Sequence, residues 1–365
     1  MTDERWAESE PRLVELLRDE ILAAPGRHIT FARFMERALT EPGLGYYATS
    51  QARPMREGDF LTAPELHPFF GRMVGRKLDE MWRRLGSPPR FVVREYGAGR
   101  GTLAAAITAG LAADGSGLAR ALEHQAIDLA VAPSSDPVVG CILANEFLDA
   151  LPVHRVEGRD GDLREIFVTW RDDWLADESG EPSTVDLLAR LKSDGVELAE
   201  GARAEICLAA PVWLARAADA LEHGGLLIID YGHAAADLYG PRHAAGTLLG
   251  YRGHRVEADP FRAVGRMDLT AHVDITALDQ AANRAGLEPI ESTTLGPFVA
   301  ALGLGDVLSD LGRDPTTDPS DYLLARAAVA RMLDPRHLGS FRVLLYGRGM
   351  TASKSPPTSR PQRER

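Results

Sequence analysis

Three glycines at alternate positions, Gly97, Gly99 and Gly101, lie between a predicted strand and a predicted helix. The strand, residues 91–95, ends in the carboxylate of Glu95, and the helix-forming run TLAAAITAGLAA follows the last glycine. A glycine turn that leads into a helix N-terminus lets a ligand approach bare backbone. These residues therefore predict a site for a nucleotide-like cofactor.

The spacing of the turn discriminates between cofactors. A dinucleotide fingerprint reads G-x-G-x-x-G and a P-loop ends in Gly-Lys-Ser/Thr, whereas this turn reads G-x-G-x-G. S-adenosylmethionine (SAM) carries an ammonium group that an acid can attract and a carboxylate that backbone N–H groups can receive. The turn favours SAM, while a tight turn without a ligand and a nicotinamide-dependent oxidoreductase stay open as alternatives. The predicted cofactor contacts in this turn are Glu95, Gly97, Gly99, Arg100, Gly101 and Thr102.

Polar residues also follow the next two predicted strands. The segment HQAID ends in Asp128, whose carboxylate can accept hydrogen bonds from both ribose hydroxyls. The segment ILANEF places Asn145 and Glu146 at the edge of the sheet where ligands bind in open α/β folds. Asp128 and Asn145 complete the predicted cofactor site. The alternatives are a surface aspartate at a strand end and a polar strand exit that caps a helix.

Carboxylates near this edge are candidates for a role in catalysis. Methyl transfer from SAM is an in-line displacement, so the enzyme must hold donor and acceptor at near-attack distance. For a guanidinium acceptor, carboxylates would fix its orientation and localise its charge away from the attacking nitrogen. The candidate catalytic residues are Glu146, Asp149 and Asp59, with Glu65 as a further candidate. Residues 58–62 are predicted to form a lid over the cofactor.

A later block, Asp230-Tyr231-Gly232-His233, follows the apolar strand LLII. Asp230 is predicted either to face the substrate or to end the strand before a turn glycine. Histidines are scattered along the chain, and no role is assigned to any of them. No Cys/His spacing resembles a zinc site, so no metal is expected. The histidines considered are His233, His243, His254 and His272.

Composition narrows the class of protein. The 365 residues are 45% hydrophobic and 26% charged, which is ordinary for one large globular domain or two modest ones. A net charge of −12 argues against a nucleic-acid surface. Cys141 and Cys207 lie in apolar runs, which predicts buried reduced thiols.

The acidic start MTDERWAESEPR resembles neither a signal nor a transit peptide, and no apolar run could span a bilayer, so the expected location is the cytoplasm.

Hydrophobic periodicity places these motifs on an α/β framework. Amphipathic helices are predicted over 11–23 and 67–85, with another that begins after the N-cap Thr30. Strands then alternate with helices, which predicts a mainly parallel sheet covered on both faces. Predicted strands are 91–95, 125–129, 138–144, 164–170, 204–209, 226–231 and 341–346, and predicted helices between and after them are 102–113, 211–223, 274–286 and 321–333.

Several ordered blocks resemble the MidA-like SAM-dependent methyltransferases, a family that includes a mitochondrial protein arginine methyltransferase. The blocks are 30–71, the glycine turn with R-G-T-L at 95–103, N-E-F-x-D-A-L-P-V at 145–153, D-Y-G at 230–232, and 246–278. The resemblance runs from about residue 11 to about residue 305. It implies a Rossmann-like class I methyltransferase sheet, SAM as cofactor, and methylation of a protein on arginine.

One departure from the family pattern affects the sheet. Only residues 130–139 separate the Asp128 strand from the core of the Cys141 strand, too few for the helix and strand expected there. We therefore expect the sheet to lack one edge strand. This shortening keeps a second hypothesis open, a methyltransferase-fold assembly or scaffold protein that has lost activity.

The predicted organisation has three parts. Residues 1–88 form an N-terminal helical and lid region, and 89–350 form the methyltransferase domain. Inserts at about 154–203 and 233–273 are expected to recognise the acceptor. The polar, Pro-rich tail at 351–365 is expected to be disordered. The sequence leaves open whether the chain acts as a monomer or a homodimer, and no membrane insertion is expected.

Overall fold

The computed structural model describes residues 4–50, 63–127, 136–253 and 255–350. The helices are α1 Glu4–Glu8, α2 Pro11–Ala23, α3 Phe31–Thr40, α4 Tyr46–Ser50, α5 Ala63–Leu66, α6 Phe69–Arg84, α7 Thr102–Ala113, α8 Val185–Ser193, α9 Ala209–Ala220, α10 Ala235–Leu238, α11 Ile275–Arg284, α12 Leu295–Ala301, α13 Leu304–Arg313 and α14 Pro319–Leu333. The strands are β1 His28–Thr30, β2 Phe91–Tyr96, β3 Leu122–Ile127, β4 Val138–Asn145, β5 His154–Arg159, β6 Asp162–Arg171, β7 Trp174–Gly180, β8 Arg203–Ile206, β9 Leu221–Asp230, β10 Gly232–His233, β11 Leu249–Arg252, β12 Arg255–Glu257, β13 Asp268–Thr270, β14 Val273–Asp274, β15 Glu288–Thr294 and β16 Arg342–Arg348.

The main sheet has six strands in the order β15-β16-β9-β4-β2-β3. The strands β3, β2, β4 and β9 are parallel, whereas β16 runs antiparallel to both β9 and β15. The α/β fold predicted from the sequence is confirmed. The antiparallel pair at one edge adds to the parallel sheet expected, and within the described residues β3 forms the opposite edge. The predicted strand end at Asp128 lies outside the described residues.

Two helical layers bury the faces of this sheet. Central strands such as β4 are buried along nearly their whole length, because both faces are covered. On one face α6 and α7 pack closely, since a Cβ atom on Gly71 would lie 2.4 Å from the Cβ of Ala106. The helices α12, α13 and α14 share that core, and α9 and α11 cover the other face.

A second sheet stands beside the first. It has the order β1-β6-β5-β8, with β7 paired to β6, and all its pairs are antiparallel. The turn between β5 and β6 is the dipeptide Asp160-Gly161, with φ of +55° and +79°, as a tight hairpin requires. A core around Leu13, Phe34 and Trp174 joins α2 and α3 to this sheet.

Two short sheets lie between β9 and α11. One has the order β12-β11-β13, and the other pairs β10 with β14. Backbone bonds tie this segment to the main sheet, from Ala271 N–H to Asp149 O and from Val273 N–H to Tyr231 O, both 2.9 Å. Polar groups that are distant in sequence therefore meet at the carboxyl ends of β4 and β9.

Within these described ranges, no single helix has the length and apolar composition needed to cross a membrane. Among the described helices, only α12 and α13 taken together reach this length and composition, and the chain bends by 59° between them.

Candidate active site

The glycine turn after β2 exposes backbone on one side. Gly97, Gly99 and Gly101 all have left-handed φ, of +68°, +52° and +74°. A Cβ atom at Gly99 or Gly101 would meet no described atom within 4 Å, whereas one at Gly97 would lie 3.0 Å from Cδ2 of Phe147. Gly101 is the N-cap of α7, whose first N–H groups have no acceptor within the helix. This side of the turn can receive an anionic group.

Glu95 is engaged by a residue that the sequence did not indicate. Its side chain is buried, and its Oε2 lies 2.6 Å from Nε2 of His124 on β3. The other ring nitrogen of His124, Nδ1, is buried and has no hydrogen-bond partner among the described residues. Glu95 is thus paired with His124 and is not an isolated carboxylate. Arg100 is exposed beside the turn, and Thr102 begins α7.

Asn145 and Glu146 lie where β4 ends. Glu146 has a left-handed φ of +49°, and its Oε1 accepts hydrogen bonds from Ala63 N–H at 3.0 Å and Asn145 Nδ2 at 3.1 Å. Burial raises the pKa of Glu146 to about 8, and the charges of Asp230 and Glu65 add to this effect. Asn145 Oδ1 is buried without a described partner, so it can accept a bond from a cationic group such as an ammonium.

The raised pKa of Glu146 predicts a pH-dependent stability. The group holds its proton up to about pH 8 when folded but only to about pH 4.5 when unfolded, so wild-type stability should fall as pH rises between these values. Near pH 4.5 the free energy of unfolding of Glu146→Gln should equal that of the wild type. At pH 9 it should be higher than that of the wild type by about 2 kcal/mol, a value that allows for screening of the charge by solvent. Urea denaturation across this range measures the difference.

Glu165 supplies a control of opposite sign for that measurement. Despite its burial, hydrogen bonds with His154 and Ser183 lower its pKa, so its ionised form stabilises the fold above pH 4.5. Glu165→Gln should therefore lose stability relative to the wild type as pH rises. A Glu146→Gln variant that behaved in the same way would contradict the assignment.

Asp149 lies in a pocket that holds several carboxyl groups. Its side chain is 6% exposed, and burial together with the charges of Asp230, Asp268 and Glu146 holds its pKa well above the usual range. Within the described residues, neither Glu146 nor Asp149 forms an ion pair with a Lys, Arg or His side chain. Buried carboxylates without a counter-charge are costly, and a cationic ligand would remove that cost.

Two further residues belong to this pocket, one from the N-terminal region and one from the insert at 233–273 that was expected to recognise the acceptor. Asp268, on β13, accepts a 2.8 Å hydrogen bond from the hydroxyl of Tyr47 on α4. Burial and the charges of Asp268 and Asp149 raise the pKa of Tyr47 and likewise that of Tyr251 on β11. Neither residue was singled out by its type or spacing, although both lie within blocks that resemble the family and Asp268 lies in the insert at 233–273.

Asp230 holds the loop that carries these carboxylates. It is 1% exposed, and its Oδ2 accepts N–H groups of Phe147, Leu148 and Asp149 at 3.2, 2.8 and 3.4 Å. Its Oδ1 accepts Tyr231 N–H at 2.8 Å. Both oxygens are thus used to position the loop, which favours the second of the two roles considered for Asp230.

Removal of this carboxylate should destabilise the protein. We expect Asp230→Ala to lower the free energy of unfolding by about 2–4 kcal/mol, because buried N–H groups lose their acceptor. Urea denaturation would measure the change, with Asp306→Ala as control, since Asp306 is exposed in the first turn of α13. A loss no larger than that of the control would contradict the positioning role.

The structure brings part of the predicted site together. Asn145, Glu146 and Asp149 share one loop, and Phe147 of that loop touches the glycine turn. Glu65, on α5, is close enough for its charge to raise the pKa of Glu146. Asp59, Asp128 and the proposed lid at 58–62 lie outside the described residues.

Comparisons with known proteins agree with this geometry. Residues 126–293 match the sequence profile of an S-adenosyl-L-methionine-dependent methyltransferase family. The mouse protein named protein arginine methyltransferase NDUFAF7, mitochondrial, is 28% identical over 85% of this chain and 79% of its own length. Its Drosophila melanogaster homolog is 27% identical over 93% of this chain and 86% of its own.

A solved structure extends the similarity to the fold and the cofactor. A Burkholderia thailandensis protein crystallised with S-adenosyl-homocysteine has 29% identity and a TM-score of 0.82, covering 97% of this chain and 96% of that chain. The SAM cofactor and the methyltransferase sheet expected from the sequence are confirmed.

The expected cytoplasmic location is wrong. The mouse, Drosophila and human relatives are named as mitochondrial proteins, which contradicts it. The prediction used the charge and polarity of the first residues and the lack of an apolar run that could span a bilayer. Those properties report on one type of targeting segment and not on the compartment in which the folded domain acts.

Proposed function

The chain belongs to the MidA-like SAM-dependent methyltransferases, and from this premise we propose that it methylates an arginine side chain of a protein substrate. The pocket at Glu146 and Asp149 is the observation that carries the proposal. It holds buried carboxylates with no described cationic partner, next to the cofactor turn. A guanidinium is the protein side chain whose planar N–H donors best match paired carboxylates.

The residues around the turn fit SAM. The carboxylate of SAM can accept hydrogen bonds from the N–H groups at the start of α7, where the bare backbone of Gly99 and Gly101 leaves room for it. The ammonium of SAM can donate a hydrogen bond to Asn145 Oδ1. When bound, SAM supplies an electrophilic methyl group on a sulfonium sulfur. Thr102 and the Glu95–His124 pair then support the same end of the cofactor.

The pocket carboxylates have separate tasks in this proposal. Asp149 binds the guanidinium N–H groups and localises positive charge away from the nitrogen that attacks. The new C–N bond forms as the C–S bond breaks, and the sulfur keeps the electron pair. The methylated nitrogen must then lose one proton. In the ligand-free site Glu146 has a pKa of about 8, but the positive charge of a bound guanidinium lowers this pKa, and the ionised Glu146 then accepts the proton.

The decisive experiment incubates purified protein and methyl-labelled SAM with a protein lysate, followed by mass spectrometry of labelled bands. The expected result is methylarginine in a discrete protein, with no label from an Asp149→Asn preparation that still binds SAM. Labelled lysine or a labelled small molecule would overturn the arginine assignment but not the methyltransferase class. Binding of SAM and a partner without any transfer would instead favour the assembly or scaffold role.

A further inference from the structure

Three histidines that are distant in sequence meet on one side of the acceptor pocket. His233 ends β10, His243 lies in the short 3-10 turn Pro241–His243, and His272 connects β13 with β14. Each histidine offers one ring nitrogen, and these three nitrogens all lie within 4.8 Å of one another. Sequence spacing indicated no metal site, because the fold alone brings these side chains together.

The type of side chain suits a metal ion. Imidazole is a common ligand of zinc and other transition metals.

Asp237 orients two of the rings as the outer partners of metal-bound histidines do. His243 Nδ1 lies 2.9 Å from the backbone oxygen of Asp237, and His233 Nδ1 lies 3.2 Å from its Oδ2. A proton held on Nδ1 leaves the lone pair of Nε2 available to a metal. Nδ1 of His272 is buried and has no hydrogen-bond partner among the described residues.

We propose that His233, His243 and His272 bind one divalent transition metal, with zinc as the best match. Zinc at about 2.0–2.1 Å from each nitrogen would set the nitrogens roughly 3.3 Å apart. Because the nitrogens now lie within 4.8 Å of one another, each pair needs to approach by about 1.5 Å at most. The nearby Arg242 and Arg342 oppose a cation, while Asp237 pairs with Arg242 at 3.7 Å and offsets part of that charge. Three protein ligands leave a fourth position for water.

The metal would join three segments around the acceptor pocket. The ring of His272 stacks on that of Tyr231, with centroids 5.9 Å apart and planes 10° apart. Tyr231 in turn follows Asp230, which positions the Glu146–Asp149 loop. We assign the site a structural role, because it fixes the chain after β9 against the β13–β14 connection. Methyl transfer does not require it, so this proposal stands apart from the proposed function.

The test uses the full chain without an affinity tag, freed of metal by a chelator and titrated with Co²⁺. The expected result is one equivalent bound with the visible absorption of tetrahedral cobalt, displaced by Zn²⁺, and a higher melting temperature with metal. His243→Ala and His272→Ala should bind at least about 100-fold more weakly, and Asp237→Asn about 10–100-fold more weakly. His337→Ala, at an exposed position, should bind as the wild type does.

Two outcomes would overturn the site. One is the lack of saturable one-equivalent binding by the wild type, and the other is binding unchanged in His243→Ala. If His272→Ala fails to fold, His243→Ala and Asp237→Asn still decide the matter, since both lie near the surface on α10 and the turn after it.

Discussion

A Gly99→Asp variant is expected to fold normally and to lose at least about 100-fold in affinity for SAM. The φ of Gly99, +52°, is one that aspartate tolerates better than most residues, and a Cβ atom there meets nothing within 4 Å. The new carboxylate would occupy the side of the turn that receives the carboxylate of SAM. Two like charges about 4 Å apart repel by about 4 kcal/mol in a partly buried site.

Calorimetric titration with SAM measures this loss, and α7 offers a matched control at its other end. Gly115 also has a left-handed φ, +62°, with nothing within 4 Å of an added Cβ. Gly115→Asp should therefore carry the same backbone strain without a change in SAM affinity. Equal affinity in both variants would remove the glycine turn from the cofactor site.

Asp149→Asn should lower kcat/KM for methyl transfer by about 100–1000-fold while SAM affinity stays within a few-fold of the wild type. The amide keeps the shape of the side chain but removes the charge that pairs with the guanidinium. Because buried carboxylates repel one another at this site, the ligand-free variant should be at least as stable as the wild type. Radiolabel transfer and thermal unfolding measure the two effects.

Asp79→Asn serves as the control for loss of a buried carboxylate elsewhere. Asp79 is on α6, where it pairs with Arg83 and Ser116. This variant should lose stability and keep its kcat/KM. If Asp149→Asn kept wild-type transfer to arginine, Asp149 would have no role in acceptor binding.

Helices and strands with strong local signals in the sequence were predicted correctly. The predicted helix at 102–113 matches α7, whose run of alanines and leucines favours a helix. The predicted helix at 11–23 matches α2, whose buried apolar residues recur at helical spacing. The N-cap at Thr30 is confirmed, since its hydroxyl accepts Arg33 N–H at 3.1 Å. The strand predicted at 138–144 is β4, buried on both faces.

Other elements lacked such signals. β15 is polar and largely accessible, so its sequence EPIESTT does not resemble a strand, and pairing with β16 decides its conformation. Of the β5–β6 hairpin, the sequence predicted only β6, at 164–170. The strand β5 was missed although Asp160-Gly161 is a turn signal, because β5 mixes apolar and charged residues. In the site, the contact between Tyr47 and Asp268 joins residues 221 positions apart. No local pattern encodes such a pairing.

The contact between Phe147 and Gly97 has a consequence for how the acceptor site can diversify. The aromatic ring lies where any side chain at Gly97 would stand, so the loop of Glu146 and Asp149 rests directly on the cofactor turn. Under the proposed function, the gap between methyl donor and acceptor would therefore be set by a contact that has room for only a hydrogen atom. Under the same proposal, relatives that recognise different proteins would have to vary the part of the pocket that Tyr47 and Asp268 supply from independent segments.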